Sequence, residues 1–396
     1  MRIRLFISAL VLLSSCSDNS EIESQIQTEY QGLSLPEIPF NYENIELPSH
    51  YLVNDFPNNL PFQTAAITND NSPTTNPITN EGALLGRVLF YEKKLSQNGT
   101  ISCASCHKQS EGFSDSSMLS LGFEGGSTRR HSMGLTNARF YDSGAFFWDE
   151  RAASLEEQVL MPFQDPVEMG MTLEQIVETV EAQDYSDDLF SAAFGDPQVS
   201  SDRISKALAQ FVRSLISIDA KYDNARALAA GPMEDFDMFN AEENQGKRLF
   251  FNPRNGAPPC ASCHQSEAFI GARVPPNMTT GTSNNGLSLE NEDLGVFETT
   301  LDNRDRGKFK VNSLRNIAVS APFMHDGRFS TLGEVVDHYS NGIQDVPNLH
   351  PTLRDQNGNP VQYNFSTQEK QALIAFLETL TDEVMINDEK FSDPFH

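Results

Sequence analysis

CASCH at Cys103 to His107, and CASCH again at Cys260 to His264, decide how this 396-residue chain is read. In Cys-X-X-Cys-His, two thiols three positions apart reach the two vinyl groups of one haem as thioethers, and the adjacent imidazole is placed to bind the iron from the same side. The chain has 5 cysteines: two pairs in the motifs, and Cys16 near the N-terminus. No cysteine is left for a disulfide outside the motifs. Two covalent haems follow, attached through Cys103 and Cys106 and through Cys260 and Cys263, with His107 and His264 as proximal ligands. Two other uses of the cysteines stay open. A single zinc site made from both pairs leaves each following histidine unexplained. A redox C-X-X-C normally opens a helix in a βαβ setting, which this sequence lacks.

The residues around the motifs repeat as well. LGRVLFYEKKLSQNGTIS precedes the first, and QGKRLFFNPRNGAPP the second. Both run Gly, basic, one residue, Leu, Phe, aromatic, then a polar Asn-Gly loop, which marks an internal repeat of one haem-sized unit. Between them Ile204, Ala207, Leu208, Phe211, Val212, Leu215 and Ile216 follow the i, i+3, i+4, i+7 rule of an amphipathic helix. Capping boxes are expected at Ser154 with Glu157, Thr172 with Gln175, and Ser366 with Glu369, the last opening a helix that buries Leu373, Ile374, Leu377 and Leu380. Strand signals are sparse. The expected fold is mostly α, two cytochrome c-like haem domains in tandem with long loops and little strand. The expected boundaries are residues 81–225 and 240–385, with a hinge near Asp219 to Phe239. The longest loop runs from Arg273 to Thr300.

Lys plus Arg number 28 against 55 Asp plus Glu, a formal charge of -27. That excess of carboxylate repels nucleic acid and anionic lipid head groups, and it leaves a basic protein partner or none. The N-terminus has Arg2, Arg4, an apolar run from Leu5 to Leu13, then small residues before Cys16. The run is too short to span a bilayer as a mature helix and reads as an export signal over residues 1–15. LSSC resembles a bacterial lipobox, so Cys16 is expected to be lipidated and the protein to be periplasmic or in the cell envelope, touching membrane only through that anchor. An ordinary secretory signal cut elsewhere is the alternative. Residues 16–80, acidic and rich in Asn and Pro, read as a tether or irregular wrap.

The second axial position of each iron separates a carrier of electrons from a catalyst. No histidine occurs between His107 and His131, and Met118 and Met133 lie in loop-like sequence. The first iron therefore reads as open on its far side, with Met118 or His131 as the competing ligands. For the second, Leu332, Val335, Val336 and Tyr339 share one helical face, with His338 off that stripe. Tyr339 is either ordinary packing or an axial phenolate.

From about Glu81 to Asp382 the chain resembles the bacterial di-haem cytochrome c peroxidases, and more narrowly their MauG-like branch. The resemblance rests on the two CASCH motifs, FFWDERAASLEEQ at Phe146 to Gln158, PVEM at Pro166 to Met169, and GKFKVNSLRNIAVSAPFMHDG at Gly307 to Gly327. It implies that the first haem is peroxidatic and that the second supplies or stores an electron. It implies too that Trp148, otherwise readable as core, lies between them. Glu168 of PVEM then matches the distal acid-base residue, which takes a proton from bound peroxide and returns it to the leaving oxygen. Without the resemblance Glu168 is an acidic residue near a helix start. Conventional members carry methionine where this chain has Tyr339, as MauG-like proteins do. A phenolate donates more electron density than a thioether and favours oxidised iron. The LGFEGG loop lacks the removable distal histidine of members that need reductive activation. A calcium ion between the haems is also implied, with the carbonyls of Ser320 and Pro322 as ligands. The family's asparagine ligand is here His131, a poor match for a hard cation.

The expected function is reduction of hydrogen peroxide by a di-haem peroxidase. Electrons would come from a small redox protein, a cytochrome c or cupredoxin. The alternatives are MauG-type oxidation of a side chain on a partner protein, and a plain di-haem electron carrier.

Overall fold

The computed structural model describes residues 27–30, 32–57, 63–253, 258–272, 281–289 and 293–396, and Cys16 lies outside them. Each haem unit is built on one crossing pair of helices. Asn80–Tyr91 crosses Ser201–Ser214 in the first, and Ala241–Phe251 crosses Thr367–Glu378 in the second. All four begin on a side-chain cap: Thr79, Ser200, Asn240 and Ser366 each accept a hydrogen bond from a first-turn amide. The glycine of the sequence repeat explains the crossing. A Cβ on Gly86 would lie 2.0 Å from the Ala207 carbonyl oxygen, and one on Gly246 1.8 Å from that of Ala372. Only glycine lets these backbones meet so closely, at a helix-propensity cost of ~1 kcal/mol against alanine. Beside each glycine a Phe pair closes the contact, Phe90 with Phe211 at 5.2 Å and Phe250 with Phe376 at 5.1 Å between ring centroids.

Two large apolar clusters surround these crossings. One gathers Leu85, Leu89, Phe90, Leu208 and Phe211, the other Leu249, Phe250, Phe269, Phe376 and Leu377. The expected hinge contains the helix Lys221–Arg226 and gives Tyr222, Phe236 and Phe239 to the second cluster. Nearby, Arg315 donates to both carboxylate oxygens of Asp223, at 2.6 and 2.9 Å, and Asp223 also meets His50 at 2.9 Å. These charges are buried and mutually compensated, as burial requires.

The chain ends wrap across both units. Tyr51 donates to Ser217 O at 2.8 Å, Gln63 to Ala261 O at 2.6 Å, and Tyr91 to Phe391 O at 2.7 Å. Phe391, close to the C-terminus, lies in the first core. Among the described residues, strand is confined to two antiparallel pairs, Gln27–Tyr30 with Leu33–Pro36 and Thr282–Ser283 with Phe309–Lys310. No helix among them is long and apolar enough to cross a membrane.

Two details depart from the sequence reading. The Ser154 capping box is half formed: Ser154 Oγ accepts from Glu157 N at 3.1 Å, but the Glu157 carboxylate accepts from Ala153 N, at 2.9 Å. His338 is not off the buried face: the helix Leu332–Asp337 widens into a π turn over His338–Gly342, and this extra residue per turn brings His338 inward to 6% exposure.

Candidate functional site

A cavity of about 670 Å³ opens over the first motif, with Cys103, Cys106 and His107 in its wall. A second, of about 250 Å³, holds Cys260, Cys263 and His264. None of these four cysteines is in a disulfide. The imidazoles are held alike. His107 Nδ1 lies 2.9 Å from Phe113 O, and His264 Nδ1 3.2 Å from Asn312 O. Carbonyl contacts at Nδ1 fix its proton there and leave Nε2 with the lone pair that an iron needs. Burial lowers both pKa values, to about 4 for His264, so the rings stay neutral. Paired thiols, a neutral and oriented imidazole and a cavity above them fit a covalently held haem at each site.

Glu168 lines the first cavity on a turn built before the Thr172 cap. Asp165 Oδ1 accepts from the amides of Val167 (2.8 Å) and Glu168 (3.2 Å), and Glu168 O accepts from Phe123 N at 3.0 Å. Its carboxyl pKa is raised to about 7, first by burial and then by Asp165, with Arg151 opposing. The LGFEGG loop lies directly on this turn, where a Cβ on Gly122 would meet Val167 O at 1.6 Å. Of the two competing ligands, Met118 is 56% exposed and is not part of the cavity wall. His131 is in the wall, but both its ring nitrogens are engaged. Nε2 lies 3.2 Å from Ser114 Oγ, and Nδ1 3.2 Å from the carbonyls of both Ser117 and Met118. Met133 also lines the cavity, with its backbone toward the His107 imidazole and so on the proximal side.

Tyr339 lies in the wall of the second cavity, on the π turn. Its hydroxyl accepts from Asn285 Nδ2 at 3.3 Å, and burial pushes its pKa up to about 12. Asn285 also meets His338 Nε2 through its carbonyl at 3.1 Å, and Met324 Sδ through Nδ2 at 3.6 Å. Asn285 and Met324 were missed in the sequence: one sits in an aperiodic Asn-Gly loop, the other beside the more conspicuous His325.

Trp148, Lys310, Asn312 and Ser313 belong to the walls of both cavities. Trp148 is fixed at both ends. Its Nε1 donates to His131 O at 2.7 Å, and its carbonyl accepts from Lys310 N at 2.8 Å. Phe147 and Glu150, flanking it, both take left-handed backbone, φ 68° and 54°. The sharp turn this makes lets Phe146 and Ala152 pair across it. Lys310 is buried, and desolvation lowers its pKa to about 7.

Of the residues expected around calcium, His131 presents ring nitrogens that are already hydrogen-bonded, a poor match for a hard cation. Among the described residues, no group of three or more His, Cys, Asp or Glu side chains is placed to hold a metal ion.

Residues 80–229 match the family model for di-haem cytochrome c peroxidase. The methylamine utilization protein MauG of Methylorubrum extorquens is 33% identical over 315 residues, 78% of this chain and 81% of that one. The cytochrome c551 peroxidase of Nitrosomonas europaea is 29% identical over 329 residues, 81% and 88% of the two chains. Among solved structures, a MauG-like protein associated with microbial copper homeostasis superimposes with a TM-score of 0.68 at 34% identity, over 82% of this chain and 96% of that one. The chain therefore belongs to the di-haem cytochrome c peroxidase and MauG family of haem c oxidoreductases that act on peroxide.

Proposed function

We propose that this protein reduces hydrogen peroxide to water in the first cavity, drawing electrons from an external donor protein. The observation that carries this reading is Glu168, a carboxyl in the wall of the His107 cavity with its pKa raised to about 7. When bound, haem supplies the redox chemistry and an iron position for peroxide. His107 and His264 would be its proximal ligands, and the motif cysteines its covalent anchors. Glu168 takes the proton from the near peroxide oxygen and returns it to the far one, so that water rather than hydroxide leaves. A group that titrates near neutrality does both at comparable cost. Trp148, in the wall of both cavities, would link the two haems, and Tyr339 would hold the second iron together with His264. Asn285 orients that phenol through its 3.3 Å bond.

The acidic surface, at -27 overall, would steer a basic cytochrome c or cupredoxin. A second reading, peroxide-driven oxidation of a side chain on a partner protein, is favoured by Tyr339 and by the likeness to MauG. Stopped-flow mixing with peroxide separates both from a plain electron carrier: fast bleaching of both haem bands supports an enzyme, and inertness opposes it. The Arg2, Arg4, apolar-run and Cys16 pattern supports export and a lipid anchor in the periplasm or cell envelope. A calcium ion between the haems would take the carbonyls of Ser320 and Pro322, with His131 in place of a side-chain oxygen, and elemental analysis is expected to find less than one calcium per chain.

A further inference from the structure

Several tyrosines of this chain place their hydroxyl on a carboxylate, and one of them differs from the rest in where its charge and proton can go. Tyr141 is fully buried and donates to Glu150 Oε1 at 2.6 Å. Ser143 Oγ donates to the same oxygen at 2.8 Å, and Glu150 itself is only half-buried, so a proton received there has a route to water. Tyr222 shows the contrast. Its partner Glu267, at 2.7 Å, is 1% exposed. Tyr185 meets Glu92 only at 3.2 Å, and Glu92 is 4% exposed.

Tyr141 is also tied to the partition between the cavities. Glu150 lies two residues beyond Trp148 in the same sharp turn. Lys310, whose amide holds the Trp148 carbonyl, lays its ammonium 4.1 Å above the centre of the Tyr141 ring and 4.5 Å above that of Phe146. Phe146 and Trp148 in turn line the first cavity. Removing an electron from a phenol beside an ammonium is unfavourable if the product keeps a positive charge. It becomes feasible when the proton leaves with the electron onto the carboxylate to which the phenol is hydrogen-bonded.

We propose that Tyr141 is a proton-coupled redox relay serving Trp148, with Glu150 as its proton acceptor. This rests on the reading that peroxide oxidises the haem pair. One electron passes from the Tyr141 ring to Trp148 and onward to the oxidised haem pair. The phenolic O–H bond breaks and an O–H bond forms on Glu150 Oε1, so the lost negative charge is that of the carboxylate and no cation arises beside Lys310. A one-electron donor outside the protein then reduces the tyrosyl, and the proton returns from Glu150.

The test is rapid-freeze EPR of the full-length, haem-loaded protein after stoichiometric peroxide, with the haem absorption bands followed in parallel. The wild type should show a tyrosyl signal as the haem bands respond. Tyr141→Phe, which keeps the buried ring, should cut that signal more than tenfold with the haem response intact. Glu150→Gln, which can still accept the hydrogen bond but not the proton, should slow its appearance by about tenfold or more. Tyr222→Phe should leave it unchanged. A tyrosyl signal that survives Tyr141→Phe, or haem bands that respond with no tyrosyl at all, overturns the relay and leaves the peroxidase reading standing. Haem bands silent to peroxide overturn both.

Discussion

Replacing Glu168 by Gln keeps the size of the side chain and its fit on the Asp165-supported turn, and removes its ability to exchange a proton. The turn is held by backbone bonds to Asp165 Oδ1 and from Phe123, which the replacement leaves in place. With the carboxyl raised to about 7, half of the molecules at pH 7 carry the basic form that can take the peroxide proton. At pH 6 that share falls to roughly a tenth, and at pH 8 it rises to roughly nine-tenths. The second-order rate constant for peroxide should therefore drop about fivefold from pH 7 to pH 6 and gain only about twofold from pH 7 to pH 8. In Glu168→Gln it should fall by about 10²- to 10⁴-fold and lose this pH dependence. Lys310 titrates in the same range, so the flattening of the profile in the variant assigns the effect to Glu168. The assay is stopped-flow absorbance at the haem bands, with protein and peroxide as the only reactants. A Glu168→Gln rate within twofold of wild type, with the wild-type pH profile, would refute Glu168 as the proton carrier.

The other predictions concern the fold, the second site and the anchor. Gly246→Ala places a methyl 1.8 Å from the Ala372 carbonyl and should destabilise the protein by about 1–3 kcal/mol, read by denaturant unfolding of the holoprotein. A change under about 0.5 kcal/mol, the ordinary surface value, would mean that the crossing is looser than described. Tyr339→Met exchanges a phenolate for a thioether and should raise the potential of the second haem and abolish tyrosinate bands in its resonance Raman spectrum. An unchanged spectrum would remove Tyr339 from the iron. Cys16→Ser should move the protein from the membrane fraction to the soluble one, and an unchanged distribution would rule out the lipid anchor.

What could be read in the sequence was set by the range of the interactions. CASCH is a local motif, and its cysteines and histidines line the same cavity in both units because five consecutive residues leave little freedom. The Gly-basic-X-Leu-Phe repeat announced the leading helix of each unit. Its partner, an Ala and a Phe one turn apart at Ala207 and Phe211 and again at Ala372 and Phe376, went unnoticed because the two halves of the contact lie far apart in the chain. Periodicity placed Tyr339 correctly in the second cavity but failed one residue earlier. It assumes 3.6 residues per turn, and the π turn at His338–Gly342 does not obey that count. Asn285, which orients both His338 and Tyr339, carries no pattern at all, since a loop residue is selected by what folds over it. Likewise the acidic N-terminal stretch read equally well as tether or wrap. Tyr51 is wholly buried there because its hydroxyl finds a main-chain carbonyl, a fact of tertiary contact alone.

The proposed division of labour between the two sites stands on one property, a far side left open on the first iron and Tyr339 bound to the second. The EPR spectrum of the fully ferric protein as isolated measures it most directly. One high-spin signal and one low-spin signal of equal weight are expected. Two low-spin signals would contradict the assignment, placing a protein ligand on the far side of the first iron and leaving peroxide no position to bind.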